Sequence, residues 1–326
     1  MSTSTSARTK AVTIVIVGAL AAVPVIALAT PAEAASTTVS TASQLKAALK
    51  TAAPGDTITL ADGTYTGKFV AATDATAAAP ITLVGSRAAV LTTGSTGSGY
   101  ALNVTGDRWN LGGFTVATAK KGIVLDGSAG SRLEGLDVGN IGQEAVHVRE
   151  NSTGVVIAGN AIHQTGLTDP GYGEGIYVGS AASNWGSVMG SASTPDRSDG
   201  VVIENNVIWA TAAEGIDVKE GTTGGVIRGN RFVDAGYSGA NFADSWVDVK
   251  GNGYTIENNY GHGAYTDAFQ VHVALAGWGT GNQFRQNGNL TGVPGYEVNV
   301  QSTAAGTVVA CAASGAGGGL SNIPCS

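Results

Sequence analysis

A short strand pattern recurs through the second half of the chain, and this repetition limits what the chain can fold into. Each copy starts at an acidic residue and carries two apolar residues separated by one outward-facing residue. The copies occupy residues 144–149, 174–179, 214–219, 244–250, 267–272 and 297–301. A second pattern alternates with the first and ends in Asn, at residues 155–160, 201–206, 225–230, 254–259 and 282–287. Successive copies of the first pattern lie 22 to 40 residues apart, which is typical of a solenoid with inserted loops.

The repeat predicts an all-β fold in which each unit forms one turn of a parallel β-helix. A single turn cannot bury its own apolar residues, whereas stacked turns join residues such as Ile216 and Val218 into a continuous core. The composition agrees, with 49 Gly, 13% charged residues and abundant Val, Ile, Thr and Asn. Each turn is expected to hold two or three short strands, and one early strand is predicted at 109–116.

The two ends of the solenoid need covers, because a bare terminal turn exposes unpaired strand edges. A short helix within residues 36–50, capped by Thr41 or Ser43, is predicted to cover the N-terminal end. Cys311 and Cys325 are predicted to form a disulfide that closes a Gly-rich C-terminal tail. The Asn residues that end the second pattern are predicted to be structural, because Asn tolerates left-handed backbone and its amide can bond neighbouring turns: Asn160, Asn206, Asn230, Asn259 and Asn287.

The first residues have the pattern of a secretory signal peptide. Arg8 and Lys10 precede an apolar run at 11–29, and Ala32-Glu33-Ala34 supplies a small-residue cleavage motif. We expect residues 1–34 to be removed and residues 35–326 to form one β-helix domain. The alternative for the apolar run is a transmembrane anchor. The leading prediction is a secreted, extracellular protein with no membrane attachment after cleavage.

The charge balance limits the class of partner. The chain has a formal net charge of −7, which becomes −8 when residues 1–34 are removed. No basic stripe is present to meet phosphates, which argues against nucleic acid as a partner. An acidic polysaccharide is compatible, because it needs only a local cationic cleft or a bridging metal ion. We expect a monomer.

A charged patch is the strongest candidate for chemistry. Strand alternation places Asp217 and Lys219 on one outward face, and the next turn adds Asp248 and Lys250 about 5 Å away. We call these four residues the charged patch. A lysine with a shifted pKa can act as a base there. The structural alternative is a salt-bridge ladder that holds the strands in register.

A column of acids precedes the same strands. Stacked carboxylates repel one another unless a proton or a cation separates them, and Ca²⁺ binds such oxygen ligands. The alternative is that these acids accept hydrogen bonds from turn amides. The predicted calcium ligands are Glu174, Glu214 and Asp244, and the column also includes Glu144 and Asp267.

Further outward residues are candidates for substrate contacts or proton transfer. His272 could exchange a proton near neutral pH, and Arg149 could hold a carboxylate with two hydrogen bonds. The inserts at 167–173 and 180–200 are predicted to wall a groove in which aromatic rings stack on sugar rings. The predicted substrate-binding residues are Arg149, Tyr177, His147, Gln270 and Trp185.

Two stretches resemble a known family. Residues 41–65 and 80–83 resemble the opening of the alginate lyase and chondroitinase B family of polysaccharide lyases, many of whose relatives are secreted right-handed β-helices. Glu214 precedes Lys219 by five residues, as the family's calcium-binding Glu precedes its catalytic Lys. The resemblance implies a right-handed parallel β-helix, Lys219 as the base at C5 of a uronate, and Glu214 as a calcium ligand.

The chain also departs from the family pattern. A second family acid is replaced by Ala212, and an Arg-His-Gly on the next turn is replaced by Lys250-Gly251-Asn252. Lys250 would then assist proton transfer in place of the Arg.

The leading functional hypothesis is a polysaccharide lyase. β-Elimination needs neutralisation of the uronate carboxylate by Ca²⁺ or Arg149, a base, and a proton donor such as Lys250, Tyr177 or His272. Three alternatives remain open at the level of sequence. They are a glycoside hydrolase with Asp217 paired with Asp248 or Asp244, a uronate epimerase, and a non-catalytic carbohydrate-binding β-helix. The polysaccharide and the endo or exo mode are not fixed by the sequence.

Overall fold

The computed structural model describes residues 1–3, 34–240 and 243–326. The predicted signal peptide lies almost entirely outside these residues. Residues 34–326 form one compact unit. No helix in the described part of the chain is long and apolar enough to cross a membrane.

The described residues form three parallel sheets that run along the solenoid. The first sheet has eleven strands, the second has nine and the third has ten. Each complete turn contributes one strand to each sheet in that order, so the nine strands of the second sheet mark nine complete turns in the part described. The predicted parallel β-helix is therefore confirmed.

The strand bounds are as follows. The first sheet contains Ser36–Val39, Thr57–Leu60, Ile81–Gly85, Trp109–Gly112, Arg132–Glu134, Val156–Ala158, Val202–Glu204, Val226–Arg228, Thr255–Glu257, Gln283–Arg285 and Val308–Val309. The second contains Gly63–Thr66, Ala89–Thr92, Thr115–Ala119, Asp137–Ile141, Ala161–Thr165, Val207–Thr211, Arg231–Ala235, Tyr260–His262 and Leu290–Thr291. The third contains Phe69–Ala71, Tyr100–Val104, Lys121–Asp126, Val146–Arg149, Ile176–Val178, Ile216–Val218, Ser245–Val249, Asp267–Val271, Tyr296–Val300 and Gly319–Ser321.

The strand predicted at 109–116 is wrong in its extent. It is two strands, Trp109–Gly112 and Thr115–Ala119, which belong to different sheets. Gly113 forms the corner between them with φ +80°, and a Cβ there would lie 2.4 Å from the Gly85 carbonyl oxygen. The corner therefore needs glycine. The prediction joined the two strands because apolar residues lie on both sides of this corner.

One helix covers the N-terminal end of the solenoid, and a second, shorter helix lies in the insert at 180–200. The predicted capping helix is confirmed as α1 (Ala42–Thr51), whose N-cap Thr41 accepts a hydrogen bond from the Gln44 backbone N–H. Its apolar face buries Leu45 and Leu49 in the core. The insert at 180–200 carries α2 (Trp185–Val188) and a 3₁₀ turn at Ala182–Asn184, and a further 3₁₀ turn spans Pro170–Tyr172.

The core consists of stacked side chains from successive turns. On the first sheet, equivalent positions pair in register through Ile157, Ile203, Ile227, Ile256 and Phe284. All five are at most 2% exposed. Because each turn buries its apolar residues only against its neighbours, the stack is stabilised by the repetition that the sequence shows.

The predicted structural role of the Asn residues is confirmed for their side-chain amides. Their expected left-handed backbone is wrong, because positive φ belongs to the residue before each Asn: Gly159, Asn205, Gly229, Asn258 and Gln286. The side chains of the predicted Asn residues form a buried ladder in which each Nδ2 donates to the Oδ1 of the next Asn at 2.9–3.1 Å. The same Oδ1 atoms accept a hydrogen bond from the backbone N–H of the preceding Asn. At the other end, the predicted Cys311–Cys325 disulfide is also present.

Replacing Asn230 with alanine is expected to lower the free energy of unfolding by about 2–3 kcal/mol. The substitution removes the acceptor of the Asn206 N–H and the donor to the Ile203 carbonyl, and buried polar groups left without partners cost about 1–3 kcal/mol each. Urea unfolding followed by circular dichroism measures the change. Asn110→Ala, on the outward side of the first sheet, is the matched control and should change stability by less than about 0.5 kcal/mol. Equal effects of both variants would contradict a structural ladder.

Candidate active site

The candidate site lies on the outward face of the third sheet. The register pairs His147 with Tyr177, Tyr177 with Asp217, Asp217 with Asp248 and Asp248 with Gln270. The predicted adjacency of Asp217 and Asp248 is therefore confirmed. Lys219, Lys250 and His272 follow the ends of their strands and form a second column beside the first.

Four hydrogen-bonded contacts join the charged patch to His272. Asp217 Oδ2 lies 2.6 Å from Lys219 Nζ, and Asp217 Oδ1 lies 2.9 Å from Lys250 Nζ. Lys250 Nζ also donates to Asp248 Oδ2, and Asp248 Oδ1 lies 2.9 Å from His272 Nδ1. Both Asp residues are at most 3% exposed, whereas 41% of the His272 side chain is exposed. The carboxylates of the charged patch are thus buried and held by ion pairs, and the network reaches solvent at His272.

The charges of the patch set the protonation states of its lysines. Burial alone would lower the pKa of Lys219, but the charge of Asp217 and the hydrogen bond to it hold that pKa well above its ordinary value. The pKa of Lys250 is likewise raised, because Asp217 and Asp248 outweigh the effect of burial. Both side chains are therefore ammonium ions in the resting site.

A carboxylate cluster lies next to the lysines. One oxygen each of Glu174, Glu214 and Asp217 lies within 4.8 Å of the others. We call these three residues the carboxylate cluster. Burial, then the charges of Glu144 and Asp217, raise the pKa of Glu174 to about 8. Burial and Asp217 raise the pKa of Glu214 well above its usual range.

Asp244, predicted as a calcium ligand, does not belong to this cluster. It precedes the column position by one residue, as its spacing in the sequence indicates. The register pairs Ile216 with Val247, which aligns Glu214 with Ser245 rather than with Asp244. One extra residue in the fourth copy of the repeat causes the offset. The column therefore runs Glu144, Glu174, Glu214, Ser245 and Asp267.

The residues around the cluster fit a divalent cation. If all four acids of the cluster and patch were ionised, they would exceed the two ammonium groups by two negative charges. Two protons or one divalent cation would balance them. Glu174 Oε2 is buried and has no hydrogen-bond partner among the described residues. Three convergent carboxylates with a free oxygen suit the oxygen-rich coordination that Ca²⁺ prefers.

Tyr177 stands beside Lys219. Lys219 Nζ lies 5.1 Å from the centroid of the Tyr177 ring, which is 9% exposed. Burial, followed by the charge of Asp217, raises the pKa of the phenol well above its ordinary value. Tyr177 therefore keeps its proton near neutral pH and is available as a proton donor.

Two neighbouring cavities lie beside the charged patch on the outward face of the third sheet. One of about 420 Å³ contains the carboxylate cluster, the charged patch and His272. The other, of about 290 Å³, contains Tyr177, Tyr172 and His147 and reaches Lys121. Since Lys219 lines the first cavity and touches Tyr177 of the second, the pair stands where the two cavities adjoin. A sugar chain lying along this face would have room on both sides of the pair.

Several predicted substrate-binding residues are engaged within the protein. Arg149 is paired with Asp126 at 2.6 Å, so its guanidinium is already occupied by a carboxylate. Gln270 is buried and donates to Asp267. Trp185 is 4% exposed and donates its indole N–H to the Ser180 carbonyl, so the prediction that its ring stacks on a sugar is wrong. The ring buried under the insert holds the insert in place instead.

Tyr172, in the insert at 167–173 that was predicted to wall the groove, is the exposed aromatic residue of the second cavity, with 59% exposure. Sequence reasoning missed two other residues of the face. Lys121 pairs with Glu144 at 2.6 Å, and Gln301 lines the first cavity. Lys121 lies three residues before the outward Val124, and the acids of the column lie at the same distance before the outward residues of their own strands. The sequence spacing could therefore have identified Lys121. The exposure of Tyr172 depends on the loop conformation, which the repeat does not encode.

Comparisons with known proteins agree with this fold. A family model described as the right-handed β-helix region matches residues 100–287. An alginate lyase from Paenibacillus sp. str. FPU-7 is 40% identical in sequence with a TM-score of 0.82, and the match covers 88% of this chain and 97% of that one. A search of curated proteins gave no match.

More distant structures show the fold alone. The pectate lyase Pel9A is 14% identical with a TM-score of 0.60, covering 88% of this chain and 81% of its own. The DFA-IIIase from Arthrobacter chlorophenolicus A6 is 13% identical with a TM-score of 0.52, covering 79% and 64%. The predicted right-handed helix is confirmed by the family model and by the 40% identical structure. The chain therefore belongs to the right-handed parallel β-helix family and, within it, to the polysaccharide lyases.

Proposed function

We propose that the protein cleaves alginate by β-elimination, with Lys219 as the base and Tyr177 as the proton donor. The observation that carries the proposal is the contact of Lys219 with Tyr177 where two cavities adjoin on the outward face of the third sheet. Alginate is proposed as substrate because the 40% identical structure is that of an alginate lyase.

The reaction requires two proton transfers on one sugar linkage. Lys219, as the free amine, takes the C5 proton of the uronate, and the C5–H electron pair forms the C4–C5 double bond. The C4–O4 bond breaks, and the Tyr177 phenol gives its proton to the departing O4. Lys250 remains an ammonium ion and stabilises the negative charge that develops on the uronate carboxylate.

We further propose that Glu174, Glu214 and Asp217 hold a Ca²⁺ ion. When bound, it would balance the excess negative charge of the carboxylate cluster and the charged patch. Added positive charge beside Asp217 would also lower the pKa of Lys219, because Asp217 is the group that holds this pKa up. The cation would therefore favour the free amine that the base role needs.

The hydrolase alternative that pairs Asp217 with Asp248 has weaker support in the geometry. A glycosidase needs one carboxylic acid that keeps its proton and one carboxylate. Burial would raise the pKa of Asp248, but Lys250 and His272 together lower it below its ordinary value. Asp217 carries two lysine contacts, so neither Asp of this pair is set up as a proton donor.

The experiment that tests the proposal is an ultraviolet absorbance assay of the unsaturated chain ends. The mature protein is incubated with alginate, and with pectate, chondroitin, hyaluronan and glucuronan in parallel. We expect absorbance to rise with alginate. Release of reducing ends without this absorbance would contradict β-elimination and indicate hydrolysis.

We also propose that the enzyme is secreted as a monomer after removal of residues 1–34.

Calcium and pH are expected to act together on stability. When a chelator removes Ca²⁺, the proton bound by Glu174 stabilises the folded protein, because folding raises the pKa of this residue. This contribution is complete at a pH below the ordinary carboxyl pKa, and it is lost as the pH rises through about 8. The melting temperature should therefore fall between about pH 5 and about pH 8 and then level off. Ca²⁺ should remove this fall, because a bound cation replaces the proton.

Differential scanning calorimetry with and without Ca²⁺ measures this effect, and titration calorimetry in two buffers counts the protons released. Glu174→Gln is the control, because it keeps the shape of the side chain and removes its titration. The same dependence of melting temperature on pH with and without Ca²⁺ would contradict a cation in the cluster.

A further inference from the structure

The second cavity contains a polar floor that the proposed chemistry does not use. We call it the His147 pocket, after the residue at its base. It has a volume of about 290 Å³, and its lining includes Lys121, Glu144, His147, Tyr172 and Tyr177. Tyr172 stands exposed at its rim, and Tyr177 connects it to Lys219.

The imidazole of His147, which lines this pocket, has a buried nitrogen without a hydrogen-bond partner in the described part of the chain. The ring is 5% exposed, and its Nε2 lies 3.0 Å from the Gly179 carbonyl oxygen. A carbonyl can only accept, so Nε2 carries the hydrogen and Nδ1 carries a lone pair when the ring is neutral. Burial, then the charges of Lys121 and Arg149, hold the pKa of His147 well below its ordinary value and keep the ring neutral. Nδ1 has no hydrogen-bond partner among the described residues.

Glu144 supplies a second free acceptor beside the first. Its Oε1 accepts from Lys121 Nζ at 2.6 Å, and the same oxygen lies 3.6 Å from His147 Nδ1. Its Oε2 is buried and lacks a hydrogen-bond partner in the part of the chain that is described. A buried acceptor without a donor is energetically costly, so the floor is prepared for a ligand that brings donors.

We propose that the His147 pocket is a sugar-binding subsite, which recognises the hydroxyl groups of the uronate residue next to the one cleaved at Lys219. Two adjacent ring hydroxyls can donate to His147 Nδ1 and Glu144 Oε2, while the exposed Tyr172 ring offers an apolar face. The floor takes hydroxyls rather than a carboxylate, because both of its free atoms are acceptors. This proposal rests on the proposed function. It adds that substrates long enough to fill the His147 pocket bind more tightly than shorter ones.

The test compares two variants that keep the shape of the pocket. His147→Phe keeps the ring contact with Tyr177, whose centroid lies 4.5 Å away, and removes both nitrogens. Glu144→Met keeps the side-chain length and removes both oxygens. On long alginate chains, each is expected to raise KM about tenfold with kcat changed less than about twofold, because uniform binding is lost. On the shortest cleaved oligouronate, which does not fill the pocket, KM should stay at the wild-type value.

Glu297→Met is the matched control. Glu297 is also buried, with an Oε2 that lacks a partner among the described residues, but it does not line the two cavities. It reports how far such a substitution acts through stability alone. Melting temperatures of all three variants complete the comparison.

Binding separates this proposal from the proposed function. Titration calorimetry of wild type and variants with saturated oligouronates of increasing length measures the subsite without requiring turnover. If the wild type binds long oligouronates about tenfold more tightly than either variant but produces no unsaturated ends, the subsite stands and the lyase assignment fails. If alginate is cleaved but both variants match the wild type in KM and in affinity for long oligouronates, the subsite is wrong.

Discussion

Replacing Lys219 with alanine is expected to lower kcat/KM on alginate by about 10³-fold or more, with the fold intact. General base catalysis contributes about 10²–10⁴-fold, and Lys219 is the amine that contacts Tyr177 where the two cavities adjoin. The fold should survive, because Asp217 keeps its second contact, the ammonium of Lys250 at 2.9 Å. The measurement is the initial rate of ultraviolet absorbance increase, with circular dichroism as the check on folding.

Lys219→Arg tells a base from a fixed positive charge. The guanidinium keeps the ion pair with Asp217 but does not lose its proton in the accessible pH range, so it cannot serve as the base. We therefore expect Lys219→Arg to be as inactive as Lys219→Ala. Because the raised pKa of Lys219 keeps it protonated at neutral pH, wild-type kcat/KM should increase towards alkaline pH. Lys50→Ala, in helix α1, is the control for loss of a lysine.

Substantial activity in Lys219→Arg would overturn the base assignment and leave Lys219 as a group that neutralises the substrate carboxylate. His272 would then be the next candidate, because its Nδ1 bonds to Asp248 and much of its side chain is exposed. The hydrogen bond to Asp248 raises the pKa of His272 above its ordinary value, despite burial. Loss of activity in His272→Gln together with an active Lys219→Arg would identify that residue as the base.

The fold could be predicted because the physical requirement repeats. Stacking in a solenoid requires the same residue type at the same place in each turn, so the apolar pairs and the Asn ladder mark the turns in the sequence. The strands of the second sheet, such as Val207–Thr211, were harder to find. This strand begins directly after the Asn that ends the second pattern. The sequence therefore shows one continuous pattern at the point where the chain passes from the first sheet to the second.

The site could be predicted only where it follows the same register. Asp217, Lys219, Asp248 and Lys250 lie at equivalent positions of adjacent turns, and their proximity follows from strand pairing. Trp185 lies in an insert without a repeat, so its burial depends on local packing that periodicity does not describe. Protonation states also escaped prediction, because they depend on the sum of burial and several neighbouring charges.

Tyr177→Phe is expected to lower kcat on alginate by about 10²-fold and to change KM by less than about threefold. A positioned proton donor contributes about 10²-fold or more to a step in which the leaving oxygen must be protonated. Phenylalanine keeps the ring contacts with His147 and with Lys219 Nζ, so only the hydroxyl is removed. Tyr260→Phe, on the outward face of the second sheet, is the matched control and should retain full activity.

A double variant tests whether the two groups act in one step. If Lys219 and Tyr177 move their protons in the same transition state, the loss in Lys219→Ala/Tyr177→Phe should be much smaller than the product of the two single losses. Independent roles would give the full product. A loss of less than about threefold in Tyr177→Phe would instead contradict the donor role. Lys250 would then be the donor to examine next, because its raised pKa also keeps it protonated beside the same cavity.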